Sequence, residues 1–473
     1  MTIDRRRFLT TLGAAAMVTA GATPARAPAA FPARSRVWAD APPHWRALRD
    51  RLGSRLVLPA DPGYGTARLG YNKLNDGQLP AAVAQCVSAD DVRACLDVAR
   101  GHGIPIAARS GGHGYLGYSI PAQGLVIDLR GVADIRVHPD GTAEVGAGAR
   151  LIEVYAALAQ AGRLLPGGSC PTVGVSGLTL GGGIGVLTRR YGLTCDRLAA
   201  ADMVTADSRL LTASPTQEPD LYWALRGGGG GNFGVVTRFS FATAPAPGLT
   251  VFVLGFPAGS VTQVLGAWQQ WVAGAPFELW ASCQISGGSP PTCRIVGCYV
   301  GGPDGADVLL DRLVKAAGTT PSSRTVSPKD YLGAMKFMAG CSNDTIAQCH
   351  PTWEGGVLPR AGFVAVSRML GPAPLDPAKV TALMAGRPGV DLLLDSLGGA
   401  VGELAPGATA FPHRDSLASA QVYASATPLT RTGSAPPWTR SATDWPGSAR
   451  TVRTSTTSTT RCRTGAAPTT AGT

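Results

Sequence analysis

The sequence predicts an α+β fold in two parts, and three observations carry that prediction. Strand-like and helix-like segments alternate from Ala81 to Phe241. A Pro/Ala/Gly segment, 242–248, then interrupts the pattern. Beyond it, β-rich runs precede amphipathic helices, the order expected of an antiparallel sheet with helices on one face. A chain of 473 residues, 45% hydrophobic and 15% charged, is long enough for real cores and is not disordered in composition. Aromatics make up only 6%, and 62 Gly with 37 Pro point to long loops and tight turns.

The first residues read as a targeting segment. Arg5 and Arg6 precede Arg7-Phe8-Leu9, an apolar run follows over 13–18, and Ala25-Arg26-Ala27 has the form of a cleavage site. The run is too short to span a bilayer, and its flanking charges set it apart from a buried helix. Residues 1–27 are therefore expected to be a twin-arginine signal peptide cleaved near Ala27. The twin-arginine export machinery would place the folded protein outside the cytoplasm, secreted or extracytoplasmic, with no membrane span in its mature form. Residues 28–60 are a Pro/Ala/Arg-rich leader with one short helix.

The elements then follow in order. Strands are expected over 82–87, 104–108, 125–129 and 144–149. A helix runs from Ala89 to His102, capped by Ser88 or Asp90, with Val92, Cys95, Leu96 and Ala99 on its apolar face. A second helix runs from Leu151 to Ala161. Two Gly-rich stretches, 174–186 and 226–237, come next, and the latter leads into a strand over 235–241. The second part has β-rich runs at 250–256, 279–285 and 294–300, with helices at 306–317 and 377–384.

The net charge of +11 invites a nucleic-acid reading, but its placement removes it. Residues 1–27 hold +3 and residues 421–473 hold +5, leaving +3 for the 393 residues between. No clustered basic face marks the folded part, so no nucleic-acid partner is expected. Ten cysteines in an exported chain permit disulfides. Cys341 with Cys349 is a plausible local pair, and Cys283, Cys293 and Cys298 are another possible set. The sequence has no C-x-x-C pair and no H-E-x-x-H, so no metal is expected.

Chemistry concentrates in two glycine-dense loops. His113 lies in A-R-S-G-G-H-G-Y and Cys170 in P-G-G-S-C-P-T-V-G. Glycine lets backbone amides approach and face a phosphate. Taken alone, G-G-H describes a tight turn with a solvated His, and a lone Cys is usually a packed one. Here Gly168, Ser169 and Pro171 flank the Cys, which suits a loop. Gly174, Gly177 and the run 181–185 follow. Neither glycine run opens a helix after a first strand as G-x-G-x-x-G, so a nicotinamide Rossmann site is not indicated.

From Asn75 to His413 the sequence resembles the berberine-bridge-enzyme-like flavin oxidases of the vanillyl-alcohol-oxidase superfamily. The resemblance rests on R-S-G-G-H-G-Y, on G-G-S-C-P-T-V-G-V-S-G-L-T-L-G-G-G-I-G, on R-Y-G-L-T-C-D over 190–196, on R-G-G-G-G-G-N-F-G-V-V-T and on A-F-P-H-R over 410–414. It implies a two-subdomain PCMH-type FAD-binding domain over 61–247 and a substrate-binding domain over 248–422. It also implies bicovalent FAD, with His113 bonded to the flavin 8α carbon and Cys170 to C6. The loop of Arg109, Ser110, Gly111, Gly112 and Gly114 would hold the pyrophosphate. Gly174, Gly177, Gly182 and Gly185 would wrap the cofactor, and Asn232, Gly234 and Val236 would line its other side. A doubly tethered flavin cannot dissociate after export, and it permits an open cleft for a bulky substrate.

The tail departs from this family. Residues 421–473 hold fifteen Thr and almost no apolar periodicity, a composition that also fits a mucin-like or disordered stalk. Shifting the reading frame so that each codon takes the last base of one codon and the first two of the next turns 453–473 into Y-V-N-Y-I-D-D-P-L-P-D-W-R-R-A-Y-Y-G-R-N, given suitable third bases. The family carries Y-x-N-Y, D-W and Y-Y-G-x-N there. Residues 423–473 are therefore read as a frameshifted form of the family's C-terminal cofactor-domain segment, with the slip between Ala424 and Pro428. The tyrosine that the resemblance implies as base, or as its assistant, falls in that segment, which leaves the catalytic residue unknown.

The expected function is a FAD-dependent oxidase of a sugar or secondary-metabolite alcohol, with hydride transfer to flavin N5 and O2 as acceptor. An inactive or misfolded product of a frameshifted gene is one alternative, and an exported cofactor-free carbohydrate-binding protein is another. Tyr115 and Tyr118 are expected at the cofactor rim. Trp280 and Trp353 either stack on sugar rings or are buried. Asp395-Ser396 lies where the family's substrate face nears the flavin, though an ordinary strand end is the plainer reading. His350, His413 and Arg414 are expected to be structural.

Overall fold

The computed structural model describes residues 42–426; the expected signal peptide and the tail beyond 426 lie outside the described residues. After α1 (Pro43–Leu52), strands β1 (Leu56–Val57), β2 (Ala82–Gln85), β3 (Ile106–Arg109) and β4 (Leu125–Asp128) form a sheet in the order β1-β2-β4-β3. β2 and β3 each pair with β4 in parallel. Parallel pairing needs a crossover, and α2 (Ala89–His102) supplies it between β2 and β3. The Ser88 hydroxyl accepts from the Asp91 amide at the start of α2, and Gly103 in the left-handed region ends it. Val92, Cys95, Leu96 and Ala99 are buried, as the periodicity requires. β3 begins at Ile106 rather than at residue 104, since Pro105 has no amide proton to give a ladder.

Strands β5 (Ile135–Val137), β6 (Thr142–Gly146), β7 (Arg163–Leu164), β8 (Leu198–Val204), β9 (Leu210–Ala213), β10 (Val235–Ala242) and β11 (Ala244–Pro245) follow. Five of them make an antiparallel sheet ordered β5-β6-β10-β8-β9, and β7 pairs with β11. The strand expected over 144–149 stops at Gly146. Beyond it the chain presses on β4's exit, where a Cβ on Gly148 would meet the Leu129 carbonyl oxygen at 1.8 Å. Both sheets and α3 (Leu151–Gln160) share one apolar core that includes Ile127, Val145, Leu151, Phe239 and Phe241. The short α4 (Val175–Leu180) carries the first glycine run.

The second part is a seven-stranded sheet. Its strands are β12 (Leu249–Gly255), β13 (Leu279–Ser286), β14 (Thr292–Val300), β15 (Ser323–Lys329), β16 (Phe363–Leu370), β17 (Val390–Ser396) and β18 (Ala418–Ser425). Their order is β15-β12-β14-β13-β17-β18-β16, with every pairing antiparallel. Helices α5 (Val261–Ala273), α6 (Pro303–Ala317) and α8 (Pro377–Met384) cover one face and bury Trp268, Leu310, Val380, Leu392 and Leu394. Side chains alternate along a strand, so Asp395, Leu393 and Asp391 point to the opposite face. Their cross-strand partners Ser282, Ser419, Gln421 and Tyr423 share that face. It turns toward the first part, where α7 (Tyr331–Ala339) packs on α3.

Cys341 and Cys349 form a disulfide. Cys283, Cys293 and Cys298 do not bond to one another; each is a buried thiol in the sheet. Among the described residues no helix is long and apolar enough to cross a membrane.

Candidate functional site

The His loop leaves the C-terminal end of β3. Arg109 sits beneath the loop, not in its mouth. It is 1% exposed and donates to the Asp128 carboxylate at 2.8 Å and to the carbonyls of Ala67 and Leu69 at 2.5 and 3.3 Å. Burial pushes the Asp128 carboxyl up, but the Arg109 and Arg130 cations overcome it and hold it well below the usual range. This side chain therefore anchors the loop and is not free to meet a pyrophosphate.

Two glycines explain why the loops can meet. A Cβ on Gly111 would lie 2.2 Å from the Gly174 amide nitrogen, and one on Gly174 would lie 2.1 Å from the Ser110 hydroxyl. The His loop and the Cys loop thus cross backbone on backbone. Ser110 and Ser176 both donate to the Ala147 carbonyl, which ties the crossing to the second sheet. A Cβ on Gly114 or Gly177, in contrast, would meet nothing within 4 Å. The crossing is closed underneath and open above, as a cradle for a cofactor must be.

His113 and Cys170 come together at this crossing, although 57 positions separate them in the sequence. The buried Thr172 hydroxyl lies between them, 2.9 Å from His113 Nε2 and 3.8 Å from Cys170 Sγ. The His113 ring stacks on Tyr71 with centroids 4.0 Å apart. Burial first, and then the Arg150 cation, lower its pKa to about 3, with a partial offset from the Thr172 backbone. The imidazole is therefore neutral, and a neutral imidazole is the nucleophilic form. Arg150 is 4% exposed, donates to the Thr172 carbonyl at 2.6 Å and pairs with Glu354.

The remaining glycines pack the site from below. Gly185 touches the Cys loop, where an added Cβ would lie 1.7 Å from the Gly167 oxygen. Gly182 and Gly227 both accommodate Phe411, joining the glycine runs over 174–186 and 226–237 to the A-F-P-H-R segment. The Gly229 amide donates to the Leu180 carbonyl at 2.7 Å. Asn232 is exposed and bonds back to the Gly228 carbonyl. Gly234 fits against Met203 and the Val204 carbonyl. The Val236 side chain lies in the apolar core, as does that of Val235, which leaves its backbone to line a cofactor.

The second part closes the site from above. Tyr115 and Tyr118 are 41% and 46% exposed at the rim. The Gln421 amide donates to the Tyr115 hydroxyl, and Phe363 meets the Tyr115 ring edge-on at 5.2 Å. Burial raises the Tyr115 phenol, Gln421 lowers it, and Cys170 and Asp395 raise it again. Burial also raises the Asp395 carboxyl, partly offset by the neighbouring Ser282 hydroxyl. Asp395 and Cys170 therefore both lie close enough to Tyr115 to act on its phenol. A partly buried carboxylate with a raised pKa is the residue type that accepts a substrate proton. Sequence reasoning left it as a strand end and passed over Thr172 and Gln421. Strand alternation could have placed Asp395 and Gln421 on one face, but nothing in the sequence marks that face as the one over the cofactor.

Trp280 is 6% exposed in the core and cannot stack on a sugar. Trp353 packs under Arg360. His350 contacts Glu153 at 3.2 Å, and Arg414 binds Asp196, both structural roles.

The donor set fits a flavin. Two nucleophiles converge where one aromatic ring system could take a bond from each, beside a backbone cradle with open space above it. A family model described as an FAD binding domain matches residues 80–214. The chain is 34% identical over 377 residues to an uncharacterized FAD-linked oxidoreductase, YgaK, of Bacillus subtilis, spanning 78% of this chain and 80% of that one. The structure matches BBE-like 1 of Physcomitrella patens with a TM-score of 0.75 and 29% identity, over 81% and 84% of the two chains. It also matches glucooligosaccharide oxidase of Acremonium strictum with a TM-score of 0.71 and 27% identity, over 83% and 84%. The latter structure is described as carrying a 6-S-cysteinyl, 8α-N1-histidyl FAD.

Proposed function

The chain belongs to the FAD-linked oxidoreductases of the berberine-bridge-enzyme-like family, and from that premise we propose that it holds FAD by two covalent bonds and oxidises a sugar or secondary-metabolite alcohol. The observation that carries this reading is the Thr172 hydroxyl within 2.9 Å of His113 and 3.8 Å of Cys170, which brings both nucleophiles to one place, as a doubly attached ligand requires. When bound, FAD would supply the acceptor for a hydride at N5, with dioxygen taking the electrons onward as hydrogen peroxide. The His113 imidazole and Cys170 thiol would tether the cofactor, and the amides of Ser110 to Gly114 would hold its pyrophosphate. Asp395 takes the hydroxyl proton of the substrate, and Tyr115, held by Gln421, shapes the rim. Family membership leaves no place for the cofactor-free binding-protein reading.

The substrate class rests on the name of one structural neighbour, the glucooligosaccharide oxidase. The polar sheet face of Ser282, Gln284, Asp395 and Gln421 suits a ligand rich in hydroxyls. Purified full-length protein tests the proposal. Yellow colour that survives acid precipitation, and peroxide release on a panel of sugars and aglycone alcohols, are the expected results. A colourless precipitate would remove the covalent reading.

Export by the twin-arginine route is part of the same proposal, since cofactor loading before export suits a folded substrate of that machinery. The second reading, a frameshifted and inactive product, draws support from the composition of 421–473, which holds fifteen Thr and almost no apolar periodicity. Sequencing the gene across codons 420–430 decides it: an uninterrupted frame encoding the same peptide removes the idea.

A further inference from the structure

We propose that Thr172 is the positioning residue for covalent cofactor attachment, a single hydroxyl that presents His113 and Cys170 as nucleophiles together. The inference rests on the bicovalent reading above. Thr172 is 2% exposed, so its hydroxyl is not shared with bulk water. A hydroxyl donates one proton and accepts through its lone pairs. Two arrangements are possible across the chain His113 Nε2, Thr172 Oγ1, Cys170 Sγ. If Oγ1 donates to Nε2, the ring proton sits on Nδ1, which then has no lone pair to offer, and the thiol receives nothing. If Nε2–H donates to Oγ1, Nδ1 keeps its lone pair. The Oγ1 proton then turns to Cys170 Sγ.

Only the second arrangement serves both nucleophiles at once. The Thr172 backbone is itself held in place through its carbonyl. Arg150, itself 4% exposed, fixes that carbonyl at 2.6 Å and opposes an imidazolium nearby. Crossing of the two loops at Gly111 and Gly174 holds the chain of three groups in register.

The chemistry balances. When Nδ1 bonds to the 8α carbon, the proton lost from that carbon and the Nε2 proton pass to the flavin nitrogens. When Sγ bonds to C6, the C6 proton and the thiol proton do the same. Each addition leaves the ring reduced by two electrons, and dioxygen reoxidises it with release of hydrogen peroxide.

The test follows covalent incorporation in full-length protein produced under riboflavin limitation and then mixed with FAD, by intact mass in denaturant over time. Wild type should gain both bonds. Thr172→Val, which keeps the packing and the backbone carbonyl, should incorporate flavin about tenfold more slowly, the value of one hydrogen bond of about 1.4 kcal/mol. Its Tm should match wild type, and Thr172→Ser should restore the rate. In a Cys170→Ala background, where only the His113 bond can form, Thr172→Val should slow that bond too. A Thr172→Val protein as fast as wild type, or a Thr172→Ser protein as slow as Thr172→Val, overturns the proposal. A wild-type chain that gains no covalent flavin mass overturns the bicovalent reading itself, and this inference with it.

Discussion

Arg414 grips both carboxylate oxygens of Asp196, at 2.8 and 2.7 Å, across 218 residues of sequence. Both side chains are buried, at 1% and 8% exposure, and the planar fork matches the carboxylate bidentately. The pair ties the returning A-F-P-H-R segment to R-Y-G-L-T-C-D in the cofactor part. Breaking it strands a buried charge, so Arg414→Ala or Asp196→Ala should each cost about 3–5 kcal/mol in urea unfolding. Replacing both with Met and Leu should recover much of that loss. A single variant within 1 kcal/mol of wild type, by the same order-of-magnitude standard, would show that the pair does not clamp the two parts.

His113→Ala and Cys170→Ala should each leave one covalent bond. Acid-precipitated protein should stay yellow in both single variants and turn colourless only in the double one. Flavin loss from a single variant would mean that one residue alone carries the attachment.

Asp395→Asn should lower kcat by about a hundredfold or more, the usual range for removing a general base. Because burial raises the Asp395 carboxyl, wild-type turnover should fall as pH drops through that raised pKa, when the base becomes protonated. The stability effect has the opposite sense. A carboxyl with a folded pKa above its unfolded value contributes stability at low pH and loses it as pH rises through the folded pKa. Removing the charge should therefore stabilise the fold at neutral pH, by about 1 kcal/mol, while turnover disappears. Unchanged kcat in this variant would exclude Asp395 as the proton acceptor.

Gly111→Ala and Gly174→Ala should separate the two loops, since each new methyl collides with backbone or hydroxyl atoms at 2.1–2.2 Å. Overpacking of this kind costs about 1–3 kcal/mol. The measurable signature is joint loss of Tm and of covalent flavin. Gly114→Ala, where a Cβ meets nothing within 4 Å, should keep its Tm. Equal Tm losses at all three positions would show that the crossing is not what these glycines serve.

Much was legible in the sequence because it depends on neighbours in the chain. Ser88 and the apolar face of α2 follow from helical periodicity and capping, and the bounds 89–102 needed no correction. The glycine-dense loops around His113 and Cys170 announce close backbone approach, and their order along the chain is enough to recognise the family. Tertiary structure alone decided which of these residues meet and which way each points. Arg109 reads as part of a phosphate loop but is drawn down to Asp128, because a buried carboxylate requires a cation. Val236 reads as cofactor lining, and its side chain lies in the apolar core, which leaves its backbone to line a cofactor. Thr172 and Asp395 have no local signature: one becomes central through a crossing of two loops, the other through a sheet from the second part that lowers its polar face onto the first. Local patterns encode propensity, while a site built from distant segments exists only once packing has chosen their contacts.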